Sequence, residues 1–205
     1  MDPRRILAKH RTLTVLDGVV ELAFKARYKE PIKPDLYYSN VTDFHPWEHE
    51  GIKGVVFDLE NTLAPLGRLK KIHPYEGVED YLIELKEHNI SAVILSNKTA
   101  RKHRGRKQKF IENIESRFGI PVVNTERYKP SAYAFYDACH ELGLEHGQVA
   151  MVGDWIATDI LGARNAKAGL KVLVDPMDPE SIVMRILFRP FGTHYRKKQN
   201  IVYTQ

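Results

Sequence analysis

The sequence GVVFDLENTLAP, residues 54–65, decides the fold, because an apolar run leads directly into two acids and a hydroxyl. Val55, Val56 and Phe57 predict a buried strand that ends at Asp58. Glu60 and Thr62 follow at alternate positions. The end of a strand is a rigid mount for polar side chains, so this stretch predicts one wall of a functional site.

Strand and helix patterns alternate from residue 52 onward. Further short apolar runs predict strands at 91–97, 122–123, 148–154 and 171–174. Apolar residues at helical spacing predict the helices between the strands. Three of these helices have apolar faces formed by Val78, Tyr81, Leu82 and Leu85, by Phe110, Ile111, Ile114 and Phe118, and by Ala132, Phe135, Tyr136 and Cys139. A fourth helix is predicted over residues 158–168 and ends at Gly169. This order predicts an α/β protein whose parallel sheet carries helices on both faces.

The two ends of the chain differ from this pattern. Residues 1–50 predict an amphipathic helix and a proline-punctuated extended lead-in that packs on or beside the core, which spans 51–178. Residues 179–205 predict a second amphipathic helix, with Pro179 at its first position, and a basic tail. Either helix could instead lie in the interface of a membrane.

Composition limits the classes of protein that fit. The 205 residues are 43% hydrophobic and 28% charged, which supports a packed core and argues against global disorder. The single cysteine, Cys139, excludes an intrachain disulfide and fits a reducing compartment. No stretch reaches the ~20 apolar residues of a membrane span. The net charge of +5 is concentrated in two basic runs, at 101–109 and 194–198.

The polar residues that follow the strands predict phosphoryl chemistry. Ligands of such sheets bind beyond the carboxyl ends of the strands, where Asp58, Ser96 and Asp154 converge. Carboxylates this close favour a hard cation, and their oxygen atoms suit Mg²⁺. Lys129 reaches the same edge, and with Ser96 and the amide of Asn97 it would bind a phosphoryl group. Asp58 could then attack phosphorus, while Glu60 supplies and removes the proton.

These residues resemble the sequence motifs of the haloacid dehalogenase (HAD) superfamily. The first motif, usually Asp-x-Asp-x-Thr, here reads Asp58-Leu-Glu60-Asn-Thr62. The second is Ser96 in ILSN, and the third is Lys129 in YKP. The fourth is the acid pair of VGDWIATD, Asp154 and Asp159. The four occur in the order of the family, each in its expected context, and the resemblance implies a Rossmann-like HAD phosphatase.

The resemblance also implies the role of each residue. Asp58 would be the nucleophile and Glu60 the acid and base. Asp58, Asp154 and the main-chain carbonyl of Glu60 would hold Mg²⁺. The phosphate-binding set would be Thr62, which also steadies the motif loop, with Ser96, Asn97 and Lys129. Asp159 would orient Lys129 or stand behind the metal ligands.

Glu60 is where the sequence departs from the family pattern. Its additional methylene shifts the carboxyl by about one C–C bond, and a misplacement of about 1 Å can cost ~10²-fold in rate. Glutamate remains a competent general acid. Three interpretations stay open: a working site of shifted geometry, one slowed half-reaction, or a site that only binds.

The spacing of the motifs leaves no room for a cap domain. Residues 59–95, 37 in all, separate Asp58 from Ser96, and residues 97–128, 32 in all, separate Ser96 from Lys129. The site should be open, which suits a large or surface-embedded substrate. Lead-in and motif flanks from 32 to 192 resemble the YqeG-like branch of HAD class IIIA, which is similar to phosphatidylglycerophosphate phosphatases. That resemblance implies a phospholipid substrate and phosphatidylglycerol as product.

The basic run fits such a substrate. Arg101, Lys102, Arg104, Arg106, Lys107 and Lys109 follow the Ser96 strand and would rim the site against an anionic membrane surface. This predicts a cytoplasmic protein peripheral to the membrane, with the mitochondrial matrix face or a plastid as alternatives; the oligomeric state stays open.

Two other classes of function remain. One is a HAD phosphatase that acts on a nucleic-acid end, a protein or a small phosphoester. The basic run lacks the interleaved aromatic residues that stack bases, which disfavours nucleic acid. The other is a catalytically weakened binding module, which the presence of Asp58, Ser96, Lys129 and Asp154 disfavours.

Overall fold

The buried strand that precedes Asp58 is the centre of a parallel six-stranded sheet in the computed structural model. The structure describes residues 32–65, 74–97, 104–123 and 127–176, with the backbone alone for 104–108 and 110. The strand order is β1-β6-β5-β2-β3-β4. The strands are β1 (Leu36–Tyr38), β2 (Gly54–Phe57), β3 (Ser91–Leu95), β4 (Val122–Val123), β5 (Val149–Gly153) and β6 (Leu170–Val174).

Four α-helices of the described chain connect these strands. They are α1 (Val78–Glu87), α2 (Arg104–Phe118), α3 (Ala132–Leu142) and α4 (Leu161–Asn165). A π-helical segment, Ile156–Ile160, leads directly into α4. Short 3₁₀ turns occupy Val41–Asp43, Pro46–Glu48 and His146–Gln148.

Each face of the sheet has its own apolar core, because successive side chains of a strand point to opposite faces. On one face Val55 and Phe57 of β2 pack with the buried side of α1 and with Ile114 of α2. On the other face Val56 packs with Phe135 of α3 and with α4. The predicted α/β fold with helices on both faces is confirmed.

The lead-in before residue 50 contributes to the sheet itself. β1 pairs in parallel with β6, and Tyr37 lies opposite Leu173. Val41 and Phe44 are fully buried in the same core as β2. The chain divides into two units, 1–32 and 33–205, so this lead-in belongs to the unit that carries the sheet. The three-part division of the chain stays a prediction.

Two details differ from the sequence prediction. The helical pattern places Tyr136 on the buried face of α3, but its side chain is 38% exposed, while Ala134 and Ala138 are buried in its stead. The phenol ring has a polar tip and tolerates water, so its apolar character alone is a poor guide to its burial. The last helix starts at Ile156 as a π-helix, two residues earlier than predicted, and ends at Asn165.

Several predictions lie outside the described residues. These concern the N-terminal amphipathic helix, the C-terminal helix and basic tail, Arg101 and Lys102. Within the described ranges, no helix combines the length and apolar character that a membrane span requires.

Candidate active site

The site lies where three neighbouring strands end at one edge of the sheet. Asp58 follows β2, Ser96 follows β3 and Asp154 follows β5, and β2 pairs with both of the others. The backbone N–H of Asp58 donates to the carbonyl of Val152 at 2.9 Å, which continues the pairing with β5 for one residue. Asp58 is therefore fixed by the sheet itself.

A tight turn carries the rest of the first motif. Asn61 adopts a left-handed backbone conformation with φ of 64°, which asparagine tolerates better than most residues. Its N–H donates to the carbonyl of Ala64 at 2.8 Å. Thr62 is fully buried, and its Oγ1 has no hydrogen-bond partner within the described residues. The structure thus places Thr62 inside the motif turn.

Lys129 joins the first and fourth motifs. Its Nζ donates to Asp58 Oδ1 and lies 2.7 Å from Oδ1 of Asp159. Its side chain is 4% exposed. Burial by itself would lower the pKa of Lys129, but the carboxylates of Asp159 and Asp58 raise it well above its ordinary value. The ammonium group therefore stays charged at any pH at which the protein functions.

Asp159 is held in place by several donors. Its Oδ2 accepts the backbone N–H of Trp155 at 3.0 Å, and its Oδ1 accepts the hydroxyl of Thr158 at 3.1 Å. Together with Lys129, these donors satisfy both oxygens of a carboxylate that is 1% exposed. Gly153 leaves room for this carboxylate, because a Cβ there would lie 2.5 Å from Asp159 Cγ.

Three carboxylates share one small volume. One oxygen from each of Asp58, Asp154 and Asp159 lies within 4.8 Å of the other two. Burial raises the pKa of Asp58 to about 7; Lys129 lowers it, while Asp159 and Glu60 add to the rise. Burial and the charges of Asp58 and Asp159 also raise the pKa of Asp154 well above its ordinary value. These three carboxylates form an acidic cluster that could bind a divalent metal ion.

Ser96 and Asn97, which follow β3, form hydrogen bonds with Glu60 and with the backbone of Lys129. Ser96 Oγ donates to Glu60 Oε2 at 3.1 Å, so the Glu60 carboxyl is directed toward β3. Asn97 Nδ2 donates to the carbonyl of Lys129 at 3.3 Å, and its Oδ1 accepts the Lys129 N–H at 2.8 Å. The amide of Asn97, predicted to bind phosphate, is thus engaged with the backbone that carries Lys129.

Three polar contacts escape the sequence analysis. Asn61 Nδ2 lies 3.4 Å from Asp154 Oδ2, Thr158 donates to Asp159, and Asn165 Nδ2 donates to the carbonyl of Pro130 at 3.2 Å. Asn61 and Thr158 lie inside the motifs, and that position is the signal that could have identified them. Asn165 carries no such signal.

Four of the six predicted anionic-surface residues fall at the beginning of α2, and Arg101 and Lys102 lie outside the described residues. Arg104, Arg106 and Lys107 lie in its first turns, where only the backbone is described, and the side chain of Lys109 is exposed. No acidic residue lies in the first turn of this helix. Helix N-termini carry partial positive charge, so these basic residues reinforce it.

Comparison with known proteins agrees with this arrangement. The family model of haloacid dehalogenase-like hydrolases matches residues 42–174. The chain is 28% identical to probable phosphatase YqeG of Bacillus subtilis over 146 residues, 70% of this chain and 77% of that protein. It is 36% identical to human N-acylneuraminate-9-phosphatase over 114 residues, 52% of this chain and 42% of that enzyme.

A solved structure of similar fold is a HAD-superfamily hydrolase from Ehrlichia chaffeensis. It is 18% identical, has a TM-score of 0.49, and the match covers 70% of this chain and 97% of that one.

The chain therefore belongs to the haloacid dehalogenase-like hydrolase family. The predicted family and the predicted enzyme class, a phosphatase, are confirmed.

Proposed function

We propose that this phosphatase hydrolyses phosphomonoesters with Mg²⁺ through an aspartyl-phosphate on Asp58, and that its substrate is phosphatidylglycerophosphate. The observation that carries the mechanism is the contact of Lys129 with both Asp58 and Asp159. A buried ammonium group beside the attacking carboxylate can neutralise the charge of an incoming phosphoryl group. The sheet and the motif turn hold Asp58 in a fixed position. The charge is therefore neutralised at the point where a phosphoryl group would meet the Asp58 carboxylate.

The residues fit a magnesium ion. Asp58 and Asp154 offer oxygens within 4.8 Å of each other. Burial is the main cause of their raised pKa values, neighbouring carboxylates add to the rise, and a bound cation would favour the ionised form of both groups. Asp159 is already engaged by Lys129, Trp155 and Thr158, so we assign it to orienting Lys129. Asp58, Asp154 and the carbonyl of Glu60 would hold the ion. When bound, it supplies positive charge for the phosphoryl oxygens and for the two carboxylates.

The chemistry proceeds in two displacements at phosphorus. In the first, an Asp58 oxygen forms a bond to phosphorus, the bond to the ester oxygen breaks, and Glu60 gives its proton to that leaving oxygen. In the second, Glu60 takes a proton from water as the water oxygen attacks phosphorus. The acyl-phosphate bond breaks, and phosphate and the Asp58 carboxylate are released. Lys129 and Ser96 bind phosphoryl oxygens in both steps.

Three features support a substrate in a lipid surface. Between Asp58 and Ser96 the described residues form only the motif turn, α1 and β3, and none of these elements is a cap domain. The basic residues of α2 follow β3 in the chain, and each Lys or Arg near an anionic leaflet contributes about 1 kcal/mol to binding. The similarity to YqeG of B. subtilis agrees with the resemblance of the sequence to the YqeG-like branch, which is similar to phosphatidylglycerophosphate phosphatases. We therefore place the protein peripherally at an anionic membrane surface.

Phosphate release from three substrates tests this proposal. Phosphatidylglycerophosphate in mixed micelles, a soluble aryl phosphate and a 5′-phosphorylated oligonucleotide are compared with Mg²⁺ and with EDTA, and Asp58→Asn serves as the blank. The proposal expects the lipid to give the highest kcat/KM and EDTA to abolish turnover. Preference for the oligonucleotide or the aryl ester would refute the lipid assignment, and full turnover in EDTA would refute the role of the metal.

A further inference from the structure

The loop that carries Lys129 is held by an asparagine side chain. Asn97 forms two hydrogen bonds with one residue: its Nδ2 donates to the Lys129 carbonyl at 3.3 Å, and its Oδ1 accepts the Lys129 N–H at 2.8 Å. The amide therefore satisfies both backbone groups of Lys129, in the way that a neighbouring strand would. Lys129 itself lies beyond the end of β4, outside the sheet.

A second asparagine holds the next residue of the same loop. Asn165, at the end of α4, donates from Nδ2 to the carbonyl of Pro130 at 3.2 Å. The same helix packs against the loop, since a Cβ at Gly162 would lie 3.4 Å from the Cα of Pro130, close to an ordinary van der Waals contact. Three backbone groups of the loop are thus bound by two asparagine side chains, one just after β3 and one at the end of α4.

A fixed backbone matters because the lysine side chain is long. Its four methylenes give the ammonium group many alternative positions, and the entropy lost in choosing one is large. The Nζ of Lys129 nevertheless has to meet Asp58 and Asp159 together. The position of the lysine Cα decides whether one extended side chain can reach both carboxylates.

We propose that Asn97 is a positioning residue for Lys129, with Asn165 as a weaker brace on the same loop. The inference rests on the proposed phosphotransfer role of Lys129. It differs from the sequence expectation that Asn97 binds the phosphoryl group, because the amide oxygen and one N–H of the amide are used on the Lys129 backbone. Asn97 would then affect catalysis only through the ammonium group it places.

A double-mutant cycle separates the two roles. Single-turnover hydrolysis of a soluble aryl phosphate is measured for wild type, Asn97→Ala, Lys129→Ala and the double variant. A displacement of the ammonium by about 1 Å predicts a loss of ~10²-fold or less for Asn97→Ala. In the Lys129→Ala background the same substitution should cost nothing further, because residues that act as a unit are non-additive. An equal loss in both backgrounds would mean direct contact with phosphate and would overturn the inference.

A matched control guards against a merely structural effect. Glu115 Oε1 accepts the backbone N–H of Val122 at 3.0 Å, so Glu115→Ala also removes a side-chain bond from the segment before Lys129. Its turnover should equal that of wild type. Its melting temperature should fall, because this variant, like Asn97→Ala, loses a side-chain hydrogen bond to the backbone. If Asn97→Ala does not fold, Asn165→Ala, at an exposed position, should lower turnover several-fold and lose that effect without Lys129.

The failure of the proposed function has a separate signature. If the folded wild-type protein hydrolyses none of the substrates, the phosphatase mechanism is wrong. The same double-mutant cycle is then measured as the affinity of the four proteins for inorganic phosphate, by calorimetry. Non-additive losses of affinity for Asn97→Ala and Lys129→Ala would support the positioning role there as well. Unchanged affinity in Asn97→Ala, or additive losses, would overturn it.

Discussion

The ammonium nitrogen of Lys129 lies 2.7 Å from Oδ1 of Asp159, and both side chains are almost fully buried. The same nitrogen also donates to Asp58. One lysine therefore links the proposed nucleophile, which follows β2, with an acid of the π-helical segment Ile156–Ile160. We therefore expect Lys129 to contribute to the proposed catalysis and to stability, and the two contributions can be measured separately.

Lys129→Ala should lower turnover by on the order of 10³-fold, as the loss of a preorganised charge at a reacting centre does, and should destabilise the fold. Removal of one partner from a buried ion pair leaves uncompensated charge and typically costs about 3–5 kcal/mol. Chemical denaturation at neutral pH measures this change. Lys171→Ala is the matched control, because Lys171 Nζ lies 2.7 Å from Asp35 in a more exposed pair, for which a loss below about 1 kcal/mol is expected. Equal losses in the two variants would contradict the structural role of Lys129.

Gly153→Ala should disturb the site without replacing any of its polar residues. The new Cβ would lie 2.5 Å from Asp159 Cγ, so the carboxylate must move and its contact with Lys129 must change. Overpacking of this kind lowers the free energy of unfolding by about 1–3 kcal/mol. Turnover should fall further than this loss of folded protein alone would explain. Gly147→Ala is the control, since a Cβ at that position would have no atom within 4 Å. Wild-type turnover in Gly153→Ala would show that the position of Asp159 is unimportant.

Glu60→Asp tests whether the glutamate is adapted to this site. Glu60 Oε2 accepts the Ser96 hydroxyl at 3.1 Å, and a shorter side chain would lose this bond. We expect turnover to fall by up to ~10²-fold, because the carboxyl would retreat by about one C–C bond. Steady-state kinetics on an aryl phosphate measure the turnover of this variant, and Glu60→Gln, which cannot transfer the proton, is measured for comparison. A strong rise in turnover for Glu60→Asp would instead identify Glu60 as the cause of a weakened site.

Stability should depend on pH and Mg²⁺ together. The pKa of Asp58 is raised from 3.8 to about 7, so between these values the folded state binds the proton more tightly than the unfolded chain. The melting temperature of the EDTA-treated protein should therefore fall as pH rises from 4 to about 7. Stabilisation by Mg²⁺ should grow over the same window, because the ion competes with the proton.

Asp58→Asn provides the control for this pH effect. The amide does not titrate, so the part of the pH dependence that comes from Asp58 should disappear, and stabilisation by Mg²⁺ should weaken. Scanning calorimetry across the pH series measures both quantities. A melting temperature that rises with pH over the window would contradict the raised pKa of Asp58.

Cys139 should be unreactive in the folded protein. Its side chain lies in the core, 4% exposed, and burial together with Glu145 raises its pKa to about 12. The thiolate is the reactive species, so Ellman's reagent at mildly alkaline pH should react slower by on the order of 10³ than with an ordinary thiol. In denaturant one thiol per chain should react rapidly. Rapid reaction of the folded protein would show that α3 does not pack as described.

The sequence predicts the central part of the fold because its signals are local. β2, β3 and β5 are continuous apolar runs that end in polar residues, which is the pattern of strands buried on both faces. For β1 the sequence predicts only extended chain. This strand has three residues, Leu36–Tyr38, and its partner β6 lies more than 130 positions away, so no local pattern reports the pairing.

The same distinction applies to the site. Asp58, Ser96 and Asp154 can be placed together from sequence because strand ends of a parallel sheet meet at one edge. The contact of Asn97 with Lys129 could not be predicted, since Lys129 lies in an irregular loop that contacts α4 through Asn165. Contacts between two loops depend on tertiary structure, and residue type alone does not encode them.

In the proposed mechanism Asp58 accepts the phosphoryl group, and every other residue role depends on that step. The direct measurement is acid quenching of the enzyme during turnover of an aryl phosphate with Mg²⁺, followed by peptide mass spectrometry after reductive trapping of the acyl phosphate. We predict that reduction releases phosphate and converts the Asp58 side chain to the alcohol of homoserine, at the rate of the first step, and that this product is absent from Asp58→Asn. Turnover with no reduced Asp58, or reduction at another carboxylate, would contradict this role of Asp58.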